Sequence, residues 1–292
     1  MRRSILLFGT SDNRPTPAFV AFLRDVQVPG DDLASIDAAL QARFFQKGPD
    51  QQPLERWELK DVQVSCPPEK LRRHLHRCGF IAERIPLCWE YTYAAWPGAL
   101  LPRATVRLSD LIEAWKSGVR WQQTIVFGGK RPLQPDKENP MQGWPANKLP
   151  PMESALRGEL STPFAQQGVE TELDMMRWLW ERVTMPSDLR ALPTVFVDAP
   201  MKPPAKEGGP PVRPNTEDTV QEWLRSNPKH GSLLLSSGAP YGMAQDEAFA
   251  MLLDPHGITV ETFGHAAPDL PVENLMREVA GAVNRIRKAR KV

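Results

Sequence analysis

Short, continuous apolar runs alternate along most of the chain with stretches whose apolar residues recur every three or four positions. The runs SILLFGT (4–10), YTYAAWPGA (91–99), TIVFGG (124–129), TVFVDA (194–199), SLLLSS (232–237) and TVETFG (259–264) are rich in β-branched, leucine or aromatic residues and end in small ones. That pattern predicts buried strands. Helical periodicity covers Pro17–Val26, Arg103–Trp115, Glu170–Arg182, Thr216–Arg225, Ala244–Leu253 and Val272–Arg290. Thr16 stands at the N-cap of the first of these and Pro17 at its first helical position. A strand that is apolar on both faces needs cover on both, and a helix with one apolar stripe supplies it. The alternation therefore predicts an α/β fold with a doubly wound, mostly parallel sheet.

Residues 27–90 fit this less well, with a polar stretch from Gln46 to Gln52 and a basic helix near Pro68–Cys78. We read residues 1–85 as an N-terminal extension or subdomain packed on the same sheet, and 86–292 as the α/β domain. The chain has 292 residues, room for roughly two domains at about 150 residues each. Thirty of them are proline, about twice the usual share, and they cluster. Seven fall between Pro132 and Pro163 and six between Pro200 and Pro214. A residue without an N–H and with a fixed φ suits neither a regular helix nor a central strand, so 132–163 and 200–214 are expected to be long loops.

Charge excludes more than it suggests. Thirty-six Lys and Arg against 35 Asp and Glu leave a net charge of +1. No bulk-charge argument then exists for nucleic acid or a membrane surface. No apolar run approaches the ~20 residues needed to cross a bilayer. The apolar stretch after Met1-Arg2-Arg3 stops at Gly9, too early for an export signal, and three cysteines are too few and odd in number for a disulfide framework. A cytoplasmic protein is expected.

Ligands of open parallel sheets bind at the carboxyl ends of the strands. There TIVFGG runs into Gly128, Gly129, Lys130 and Arg131, where glycines would let backbone N–H groups approach an anion and two cations would stand beside it. The competing reading is an ordinary turn with solvated charges. Both proline-rich loops leave the same edge. Thr171-Glu172 opens the helix after the first, and Asn215-Thr216 the helix after the second, either as caps or as ligand contacts. Ser236 and Ser237 end the fifth run. Arg107 is a further counter-charge, and Glu172 and Asp198 are the carboxylates available for acid or base work.

In this order the pieces resemble the YdcF/SanA/ElyC family of bacterial α/β proteins. The matching elements are WPGALLPRATVRLSDL with Arg107-Leu108, Gly128-Gly129, Thr171-Glu172, Asp198 followed by Asn215-Thr216, and SLLLSS. The resemblance implies a Rossmann-like fold with a pocket for a nucleotide-like ligand, S-adenosylmethionine being the suspected one. It also implies a His and an Arg after the Ser-containing strand, where this chain has Gly242 and Gln245. A site that has lost its chemistry, in a module that binds a protein partner through the proline loops, is the competing expectation. Gly-x-Gly-x-x-Gly and P-loop signatures are absent. Cys66, His74, His76, Cys78 and Cys88 lack zinc-ligand spacing, and Ser236 or Ser237 with His265 and Asp198 lacks a nucleophile elbow.

Overall fold

The computed structural model describes residues 6–9, 12–46, 59–60, 62–134, 162–204, 208–209, 211–267 and 269–291. In chain order its main elements are α1 (Pro17–Asp25), α2 (Leu33–Phe44), α3 (Pro68–Arg77), β1 (Glu90–Pro97), α4 (Leu101–Lys116), β2 (Arg120–Gly129), α5 (Glu172–Arg182), α6 (Ser187–Arg190), β3 (Thr194–Ala199), α7 (Thr216–Leu224), β4 (Gly231–Ser236), α8 (Gly242–Leu253), β5 (Ile258–Phe263) and α9 (Val272–Arg290). The five strands form one all-parallel sheet in the order β3-β2-β1-β4-β5, flanked by helices, which is a Rossmann-like α/β arrangement. No helix among the described residues is long and apolar enough to cross a membrane.

The central strand explains the sheet. In β1, Ala94, Ala95 and Trp96 are fully buried, and the strand pairs β2 from Glu90↔Arg120 to Pro97↔Phe127 and β4 from Tyr93↔Leu233 to Ala95↔Leu235. Helix α4 packs on β1 and β4, α5 on β2 and β3, and α7 on β3 and β2. The Trp96 indole N–H donates to the Ala104 carbonyl at 2.9 Å, so a wide aromatic ring is buried between strand and helix without an unpaired N–H. The chain builds β1, β2 and β3 outward to one side and then crosses to place β4 on the other. The topological switch therefore lies between β1 and β4, where folds of this kind bind ligands.

Tertiary contacts divide the chain into two units. One holds residues 86–236 and 252–260; the other holds 1–85, 237–251 and 261–292. The first unit begins at Pro86, and α9 groups with the N-terminal residues.

The second of these units has its own core. Leu7, Phe8, Phe19, Phe22, Leu33, Ile36, Leu40, Leu75, Val279 and Val283 are buried within it. Phe8 meets Phe19 edge-on at 5.3 Å, and Phe19 stacks on Phe22 at 5.6 Å. Helix α2 packs on α9, where Asp37 accepts from Asn284 Nδ2 at 3.0 Å and Arg287 Nε at 2.6 Å. Arg290 donates to the Gly9 carbonyl and to Asn13 Oδ1, so part of the basic C-terminal stretch serves structure.

One predicted strand is corrected. Among the described residues of SILLFGT, Leu7 and Phe8 enter this helical core, and Phe8 makes only an isolated antiparallel bridge to Pro15. An apolar run specifies burial more firmly than it specifies a strand. Helix α2 falls in the stretch that the pattern left unassigned.

Candidate functional site

The Gly128-Gly129 pair does not form the expected turn. Both residues lie inside β2, paired with Asp198 and Ala199 of β3. A Cβ on Gly128 would come within 2.6 Å of Leu173 Cδ1 and 3.1 Å of the Leu173 Cα, and one on Gly129 within 2.7 Å of Pro214 Cγ. The glycines let the start of α5 and the approach to α7 close directly onto the strand. Hydrocarbon covers the faces that the cradle reading left open to an anion, and that part of the expectation is corrected.

The helix starts behave as caps. Thr171 Oγ1 accepts from the Asp174 N–H, with the Asp174 carboxylate accepting from the Thr171 N–H at 3.0 Å. Asn215 Oδ1 accepts from the N–H groups of Glu217 and Asp218, and Asp218 accepts from the Asn215 N–H at 2.7 Å. Both are reciprocal capping boxes. Asn215, rather than Thr216, is the cap of α7; Thr216 is its first residue, and its carbonyl accepts from Thr219 Oγ1.

The charged residues gather one strand closer to the switch point. Arg107, 3 % exposed, reaches from α4 to donate from Nη1 to the carbonyls of Pro97 at 3.0 Å and Gly98 at 2.9 Å, at the carboxyl end of β1. Ser236, the last residue of β4, donates from Oγ to the Arg107 carbonyl at 2.8 Å and is fully buried. Arg107 and Ser236 thus tie together the two strand ends that flank the switch.

Glu172, the first residue of α5, places its carboxylate over Gly98. A Cβ there would lie 2.7 Å from Glu172 Cδ and Oε2 and 3.0 Å from Oε1. On its other side the carboxylate accepts from Arg131 Nη2 at 3.2 Å, with both side chains largely buried. Backbone geometry holds this pair in place. The Glu172 N–H donates to the Arg131 carbonyl at 2.9 Å, and Pro132 and Thr171 form an antiparallel bridge. The first proline-rich loop departs and returns through that bridge; its residues 135–161 lie outside the described ones. The second loop is closed in the same way by the bridge between Lys202 and Val212.

Lys130 and Asp198 form a looser, half-exposed pair at 3.6 Å on the β2–β3 side. Ser237 belongs to the other unit, where its N–H donates to the Phe263 carbonyl at 2.8 Å and the residue is fully buried. In that unit Gly242, the residue at the expected histidine position, lies against Arg84: a Cβ on it would come within 2.9 Å of Arg84 Nη1.

Sequence reading missed Gly98, whose lack of a side chain leaves room for the Glu172 carboxylate. The signal was a glycine immediately after a buried strand. No group of three His, Cys, Asp or Glu placed to hold a metal occurs among the described residues. His74 Nε2 instead meets Asp25 Oδ2 at 2.6 Å. Burial pushes the Cys78 thiol up to about 12 and raises that of Cys66, which suits packing rather than nucleophilic or ligand chemistry.

Chemically, the arrangement offers two buried guanidiniums and one carboxylate around the carboxyl end of β1. Buried charge of this kind is costly to keep and concentrates at functional sites. Compared with models of known protein families, with curated proteins and with solved structures, the chain finds no match.

Proposed function

We propose that the protein binds a small anionic, nucleotide-like metabolite at the carboxyl edge of its sheet, at the ring formed by Arg107, Gly98, Glu172 and Arg131. The observation that carries this reading is the position of the ring. It stands at the end of the central strand beside the β1–β4 switch, and the chain keeps charged groups buried there on three separate elements. A guanidinium in a partly water-excluded site is the side chain best suited to an anionic oxygen, because its planar fork of donors matches carboxylate and phosphate. Both proline-rich excursions are anchored at this edge, and long loops there are a common source of specificity. The resemblance in motif order to the YdcF/SanA/ElyC family makes S-adenosylmethionine one ligand to test, through its carboxylate, since the molecule as a whole is not an anion.

Isothermal titration of the purified protein with nucleoside monophosphates, sugar phosphates and S-adenosylmethionine tests the proposal. Saturable binding is expected for at least one of them, weakened at least tenfold by Gly98→Ala. That substitution puts a methyl group where the Glu172 carboxylate now stands, against the movable end of a side chain rather than against backbone. Absence of binding by all three classes at millimolar concentration, or binding unaffected by Gly98→Ala, would overturn it.

A further inference from the structure

We infer that β3 pairs with β3 of a second copy of this chain, antiparallel and about a two-fold axis, so that two sheets join into one. β3 is the outermost strand on its side of the sheet, with β2 as its neighbour. The register decides which of its backbone groups β2 uses. Thr124 lies opposite Thr194 and donates its N–H to the Pro193 carbonyl, and at the far end Lys130 donates to the Ala199 carbonyl. In a parallel ladder that alternation turns the backbone groups of Pro193, Val195, Val197 and Ala199 toward β2 and those of Thr194, Phe196 and Asp198 outward. Thr194 and Phe196 are partly exposed and Asp198 is exposed, so water reaches this edge. At the opposite edge, Ile258 and Thr262 of β5 are fully buried. An edge left open in this way is a template for another strand.

A second copy is the strand that fits, because the outward set is its own complement. With the axis at Phe196, each Phe196 exchanges both backbone bonds with the partner's Phe196, and Thr194 does the same with the partner's Asp198. No like charges then stand directly opposite, and a hydroxyl faces a carboxylate, as cross-strand pairing favours. Asp198 already lies 3.6 Å from Lys130, so pairing buries no lone carboxylate. The three outward residues carry their side chains on one face. There the Phe196 ring sits 4.5 Å from the Arg177 guanidinium and gains the partner's ring as an aromatic neighbour. Beyond these pairs Pro200 would face the partner's Leu192 with no N–H to give, which confines the ladder to this register. So short a ladder implies an interface below the roughly 1,200 Å² at which stable complexes begin, and hence a reversible dimer with a Kd of about 10–100 μM.

Sedimentation equilibrium of the full chain, from low to high micromolar concentration, tests this with Thr194→Pro and Phe196→Lys beside the wild type. Proline at the first residue of an edge strand removes an outward N–H and leaves the bonds to β2 in place, whereas lysine sets like charges opposite each other at the axis. The wild-type mass is expected to rise reversibly from that of one chain toward that of two, and both variants to dimerise at least tenfold more weakly. Hydrogen exchange of the wild type needs no variant to fold, and it should slow at the amides of Thr194, Phe196 and Asp198 as concentration rises. A wild type that keeps the mass of one chain throughout overturns the inference. So does a dimer undiminished in variants whose circular dichroism and melting curve match the wild type, or exchange at this edge that does not change with concentration.

Discussion

Gly128→Ala and Gly98→Ala add the same methyl group to neighbouring strand ends of one sheet, yet opposite outcomes are expected. At Gly128 the new Cβ would lie 2.6 Å from Leu173 Cδ1 and 3.1 Å from both the Cα and the Cβ of Leu173. A δ-methyl can rotate aside, but a Cα moves only with its helix, so α5 must back away from β2. Overpacking of this kind costs about 1–3 kcal/mol, and the lower chain entropy of alanine in the unfolded state returns roughly 0.4–1 kcal/mol. The net loss is about 0–2.6 kcal/mol, centred on ~1.3 kcal/mol, which at ~2–4 °C per kcal/mol lowers Tm by roughly 3–5 °C. At Gly98 the atoms met are the carboxylate end of Glu172, and a side-chain rotation relieves the contact. Gly98→Ala is therefore expected to melt within about 2 °C of the wild type while losing ligand affinity. Differential scanning calorimetry of the two variants beside the wild type checks the contrast. A Gly128→Ala protein as stable as the wild type would refute the reasoning, because the glycine face would then have room to spare.

Other expectations follow from the same contacts. Ser236→Ala removes the buried hydroxyl of β4 that donates to the Arg107 carbonyl of α4 and is expected to cost about 1–2 kcal/mol in urea denaturation; no measurable loss would contradict its structural role. Of the three cysteines, Cys88 is exposed and Cys66 and Cys78 are buried. A chromogenic disulfide reagent at pH 8 should titrate one thiol rapidly in the native chain and all three in denaturant, and rapid modification of Cys78 would contradict the packing. Lys70 and His74 hold the Asp25 carboxyl below its ordinary value of 3.8. A depressed carboxyl contributes stability above its unfolded pKa and loses it as pH falls through the folded one. The urea midpoints of wild type and Asp25→Asn should then differ near pH 5 and converge as the pH falls below 3.8. A gap at pH 3 as large as that at pH 5 would refute the pairing.

How much of this was legible in the sequence depended on whether the deciding contact was local. The inner strands β1, β2 and β4 were readable because a strand buried on both faces is a near-continuous apolar run; the partly buried edge strands β3 and β5 were marked by β-branched and aromatic residues instead, and TVFVDA (194–199) matches β3 at both ends. Val272–Arg290 likewise matches α9, since its apolar stripe persists to the basic end. SILLFGT carried the same local signal, but its Leu7 and Phe8 pack with Phe19 in the helical core, a partner choice that no run of seven residues encodes. Helix α2 was overlooked because the acidic Asp37 interrupts its apolar face; its partners Asn284 and Arg287 come from the far end of the chain. Its start was nonetheless readable in Asp32 and Ser35, which cap each other. The glycine pair shows the limit most clearly. Gly128 and Gly129 read equally well as an anion cradle or as seats for Leu173 and Pro214, and only the tertiary fold distinguishes the two. Conversely, Glu172 was recognisable as a candidate from its place at a helix start, while its seat, Gly98, was not.

The central claim is that the ring of Arg107, Gly98, Glu172 and Arg131 is the place where a ligand sits. Crystals of the protein soaked with adenosine 5′-monophosphate test this most directly. Density at the carboxyl end of β1, with the phosphate oxygens at hydrogen-bond distance from the Arg131 guanidinium, is the predicted result. A fully occupied nucleotide elsewhere on the molecule, with this ring unchanged and dry, would contradict it.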